Sequence, residues 1–102
     1  MQYVLLADWR PSTDNDQEKN ARALRSKWTY PEGVRPILEL WPASGSPAVI
    51  VAFEADDTGS VDAVRNAWEE YFHIRISPAI TSEEGLQLEP EELARWHLQP
   101  FI

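Results

Sequence analysis

The chain contains no cysteine. Disulfides, thiolate metal sites and thiol nucleophiles are thereby excluded. Histidine is scarce: His73 and His97 are the whole supply, and they form no paired-imidazole metal motif. Positive charge is short as well, with nine Lys and Arg against seventeen Asp and Glu, a net charge of −8. Nucleic-acid binding draws on Lys and Arg to neutralise phosphates, so that role is disfavoured, and attraction to an anionic membrane surface with it. The four glycines form no phosphate-cradling loop. No apolar run approaches the roughly 18 residues of a membrane span. The first ten residues, MQYVLLADWR, lack the basic start and long apolar stretch of a secretion signal. A cytoplasmic protein without metal or cofactor is the expectation.

What is present suits one folded domain of 102 residues, with 43% hydrophobic and 25% charged side chains. A domain this small buries a limited core, so a partner subunit would help it. Residues 2–9 and 48–56 read as strands, and residues 34–41 as a third. Pro36 assigns that third segment to a sheet edge, because a central strand would miss its ladder donor. Ser12, Thr13 and Asp14 are candidate caps for a first helix, on which Ala21, Leu24 and Trp28 share one face. Val61, Val64 and Trp68 repeat that spacing on a second helix. YFHIRISPAI (71–80) alternates like a last strand, closed by Pro78.

The order β-α-β-β-α-β predicts an α+β fold, the ferredoxin-like split βαβ pattern, over residues 1–84. Residues 85–102 form an extension with a short helix opened by Pro90. Its apolar Trp96, Leu98, Phe101 and Ile102 are expected to dock, on the same subunit or its neighbour.

Strand parity then divides the sheet into two faces. Tyr3, Leu5, Ala7, Val34, Leu38, Leu40, Val51, Phe53, Phe72, Ile74 and Ile76 are expected under the helices. Val4, Leu6, Ile37, Ile50 and Trp41 fall on the opposite face with Asp8, Arg35, Glu39, Glu54, Tyr71, His73 and Arg75. An apolar patch of that kind marks an interface or a ligand groove. With strand order four-one-three-two and strands one and three parallel, His73, Asp8, Glu54 and Arg35 line up as one row.

PEGV after the first helix, Trp41 ending strand two, FEADD ending strand three and ISPAITSEE closing strand four resemble the DUF3303 family over roughly residues 1–84. These are small proteins without an assigned activity. The resemblance implies a ferredoxin-like fold of the dimeric α+β barrel type, in which two sheets pack face to face across a two-fold axis. It supplies no catalytic residue to carry over.

Two functions follow as expectations. The preferred one is a non-catalytic small-ligand-binding or structural domain acting as a homodimer. The alternative is a cofactor-independent enzyme, monooxygenase- or isomerase-like, using a cavity on the helix-distal sheet face. There His73 would be the base and Asp8 its orienter, because a carboxylate beside an imidazole fixes its tautomer and raises its basicity. A salt bridge at the rim is the plainer account of that pair. Arg35, Glu54, Arg75, Trp41 and Tyr71 are the candidate ligand contacts, with Arg75 expected to meet Glu39 of a second subunit. Trp28 and Trp68 read as core, and Ser44 and Ser46 lack the strand-to-helix elbow of a hydrolase nucleophile.

Overall fold

A computed structural model describes residues 1–102 and gives β1 (Gln2–Trp9), α1 (Gln17–Lys27), β2 (Val34–Leu40), β3 (Val49–Ala55), α2 (Thr58–Trp68), β4 (Phe72–Ala79), α3 (Ser82–Leu86) and α4 (Pro90–Trp96). The strands form one sheet in the order β2-β3-β1-β4. The fold is α+β and ferredoxin-like, with the four expected strands in the expected spatial order. No helix is long and apolar enough to cross a membrane.

Every strand pair is antiparallel, β1 with β3 included. That corrects the parallel pairing expected for β1 and β3. The reason lies in the connections. A helical crossover makes β1 and β2 run the same way without touching, and β3 turns back from β2 to insert between them. It must therefore oppose both.

Alternation fixes the core. Tyr3, Leu5 and Ala7 of β1, Val51 and Phe53 of β3, and Phe72 and Ile76 of β4 are buried with Val61 and Val64 of α2. Phe53 and Ile76 are wholly inaccessible. Asp57 caps α2 by accepting from the Ser60 N–H at 2.7 Å. α1 starts later than Ser12–Asp14. Ser12 and Asp14 use their side chains in a preceding turn, where the Ser12 hydroxyl accepts from the Asp14 N–H at 3.0 Å and the Asp14 carboxylate accepts from the Asp16 N–H at 2.8 Å. Such local side-chain bonds compete with the helix.

Strand β2 departs most from simple parity. Pro36 lies opposite Phe53 and Leu38 opposite Ala52, so Ile37 is an extra, unpaired residue. This β-bulge turns the rest of the strand over. Leu38 and Leu40 therefore leave the helix-covered face, where they were expected, and Glu39 enters it opposite Val51.

Gly33 immediately precedes β2 and has a φ of +85°. Its carbonyl accepts from the Asp56 N–H at 2.9 Å. A Cβ here would lie 2.5 Å from Ser60 Oγ. Gly33→Ala is expected to cost about 1–2 kcal/mol from the left-handed backbone alone. Chemical denaturation should register that loss with an unchanged slope.

The chain beyond β4 makes two short helices. Thr81 and Glu84 cap α3 reciprocally, and Pro90 is in the first turn of α4. The last residue returns to the free edge of β4: the Ile102 N–H donates to the Ile76 carbonyl at 2.8 Å. Arg65 of α2 donates to the carbonyls of Ile74 and Ile102. β4 itself runs one residue past Pro78, its expected end.

Candidate functional site

The bulge at Ile37 builds the site. It directs Glu39 beneath α1, where three side chains converge on the carboxylate. Arg25 of α1 donates to both oxygens, Nε to Oε2 at 3.1 Å and Nη2 to Oε1 at 3.0 Å. The Tyr30 hydroxyl donates to Oε1 at 2.6 Å, and Trp41 Nε1 donates to Oε2 at 2.9 Å. A bidentate guanidinium–carboxylate pair is among the stronger polar contacts a protein makes. Arg25 also lies over the rings of Trp28 and Tyr30, 5.6 Å from each centroid.

The titration of these groups follows from that geometry. Burial alone would push the Glu39 carboxyl up, but hydrogen bonds from Arg25, Tyr30 and Trp41 outweigh it and hold the group below its ordinary value. Burial, reinforced by the bond to Glu39, pushes the Tyr30 phenol well above its usual range. The hydrogen bond to Glu39 raises the already high pKa of Arg25.

This cluster flanks a pocket of about 340 Å³ between α1 and the sheet. Four of the five tryptophans line it: Trp9, Trp28, Trp41 and Trp68. Trp28 meets Trp68 edge-on with centroids 5.4 Å apart, and Trp9 lies 4.4 Å from Phe72. Leu5, Ala7, Val49, Val51 and Ile74 supply the strand wall, and Ala21 is the buried α1 residue above it. Exposed Glu18 and Arg22 on one side, and Ala43 and Gly45 of the β2–β3 turn on the other, mark its mouth. Pockets of this size and apolar character with a few convergent polar groups are the usual form of a small-molecule site.

The residues singled out from sequence fall differently. Antiparallel pairing divides the expected row in two. Asp8 faces His73 at one end of the distal sheet face, and Arg35 faces Glu54 at the other. Six residues of β1 separate the ends, about 20 Å. Asp8 pairs with Arg75 at 3.5 Å and not with His73. His73 Nδ1 lies 3.2 Å from Arg10 Nη1, and since a guanidinium only donates, Nδ1 is the acceptor. Arg35 bonds Asp56 at 2.9 Å and Glu54 at 3.4 Å, all three exposed or nearly so. Arg75 also lies over Phe101 of the tail, 5.6 Å from its centroid. Glu39, the expected partner of Arg75 across a dimer, is held by Arg25 on the other side of the sheet. Tyr71 precedes β4 and packs, half-buried, against the core. Trp41 does line a cavity, but under α1.

Sequence reasoning missed Arg25, Tyr30 and Glu39 as a group. Pro36 was the available signal, because a proline inside a strand marks a bulge as readily as an edge.

The family model for DUF3303, a domain of unknown function, matches residues 1–93. The chain belongs to the DUF3303 family. The match reaches past Glu84, the limit read from the motifs, through α3 and into the first half of α4. PEGV holds the Gly33 turn, and the Trp41 at the end of β2 is the indole that bonds Glu39. No curated protein and no solved structure matches the chain.

Proposed function

We propose that this DUF3303 chain is a non-catalytic small-molecule-binding domain whose ligand occupies the tryptophan-lined pocket under α1. One observation carries the reading: a pocket of about 340 Å³ walled by four indoles beside a single polar cluster. A ligand that binds only the native state raises its stability by mass action. A thermal-shift screen of small metabolites is therefore expected to yield compounds that raise Tm, and a diverse set that raises it nowhere would overturn the proposal. His73→Ala should leave that binding unchanged, because His73 is on the opposite sheet face; a lost thermal shift in this variant would return attention to the distal face.

A homodimer belongs to the same reading, in a cytoplasmic setting. Its support is the distal face, where Val4, Leu6, Leu38, Leu40, Ile50 and Ala52 form an apolar band on the side of the sheet away from the core. Leu38 and Leu40 remain about half exposed, at 53% and 49%. Charged pairs bound the band at both ends, Arg35 with Glu54 and Arg75 with Asp8. An apolar centre with a polar rim is interface anatomy. Light scattering should give twice the chain mass, and a monomer at micromolar concentration would contradict the dimer.

A further inference from the structure

The polar cluster beside the pocket is already complete. A carboxylate offers about four acceptor positions. Glu39 fills four, with Arg25 Nε and Nη2, the Tyr30 hydroxyl and Trp41 Nε1. Arg25 in turn spends its charge on Glu39 and gives a third N–H to the Trp28 carbonyl at 3.3 Å. No buried side-chain nitrogen or oxygen anywhere in the chain lacks a partner. The other charges on the pocket wall, Glu18 and Arg22, are exposed at its mouth, four residues apart on α1 and opposite in sign. A charged ligand entering the interior would lose its hydration and find no free countercharge.

We infer that the pocket takes a neutral, flat, largely apolar molecule, an uncharged aromatic ring system, and that the Arg25–Glu39 pair acts as a strut between α1 and β2 and not as a ligand-charge receptor. This rests on the pocket being a ligand site. Its walls are indoles and aliphatic side chains, which offer ring faces and edges for offset and edge-on packing. The strut joins the helix to the strand across the pocket at a fixed spacing while leaving no polar group in need of a ligand.

The test is a charge series on one ring: indole, indole-3-acetate and tryptamine, titrated calorimetrically into the full chain. Indole should bind at least about tenfold more tightly than either ion, because neither charge finds a partner. Ala21→Leu, which fills the pocket from α1, should weaken indole at least about tenfold, since the ring then lacks its space, while the fold tolerates a side chain directed into a void. Equal or tighter binding of an ion would overturn the ligand class and leave the pocket as a site. Unchanged indole binding in Ala21→Leu would place indole elsewhere and overturn it too. Silence from all three, with other compounds raising Tm, rejects the neutral aromatic class alone. Silence from all three and from the wider screen rejects the site and the class together.

Discussion

Glu39→Ala is expected to destabilise the chain by about 2–3 kcal/mol, because the change strands Arg25, Tyr30 and the Trp41 indole at once. The side chains of Arg25 and Glu39 are 33% and 19% accessible, so the loss falls short of that for a fully buried pair. At this chain length 1 kcal/mol moves Tm by about 4–8 °C, giving a fall of about 8–24 °C. Arg25→Met with Glu39→Leu should recover part of that loss, since removing both partners avoids a lone charge. The pH dependence has a definite sign. The folded Glu39 carboxyl is depressed, so its contribution is present above the ordinary carboxylate pKa and disappears as pH falls through the folded value. Wild type and Glu39→Ala should converge in acid. The folded Tyr30 phenol is raised, so its contribution is complete below the unfolded phenol pKa, near 10, and is lost as pH climbs beyond it. Denaturation midpoints measured across pH would check both limbs; a Glu39→Ala penalty that grows in acid would contradict the role given to Glu39.

The second large effect concerns assembly. Leu38→Lys with Leu40→Lys places two charges in the apolar band of each copy, hence four across the proposed two-fold interface. Unpaired charge buried between like charges costs several kcal/mol. The double variant is expected to sediment as a monomer at concentrations where the parent is a dimer, with its circular dichroism intact. Both leucines face away from the core, so folding should tolerate the change. A variant that stays dimeric would show that the copies meet elsewhere.

Much of the fold was legible because it rests on periodic burial. β1 alternates from Tyr3 to Ala7 without interruption, and Val61, Val64 and Trp68 mark one face of α2. The site was less legible because it depends on a break in that period. One extra residue, Ile37, exchanges the faces of Leu38, Glu39 and Leu40. Parity therefore sent the glutamate to the distal side and the leucines to the core. Direction was the other hidden variable. The His73, Asp8, Glu54 and Arg35 row needed β1 and β3 to run together, and the hairpin between β2 and β3 forbids it. The tryptophans could be read singly as core. Their grouping around one opening required knowing where α1 lies relative to the sheet.

The pocket is tested most directly by the indole N–H resonances in a nitrogen–proton correlation spectrum during titration with indole. Trp9, Trp28, Trp41 and Trp68 line the pocket, and Trp96 in α4 does not. Saturable shifts are expected in those four signals while Trp96 stays in place. Movement of Trp96 alone would contradict the pocket as the site, and so would four signals that stay in place with indole and with every compound that raises Tm.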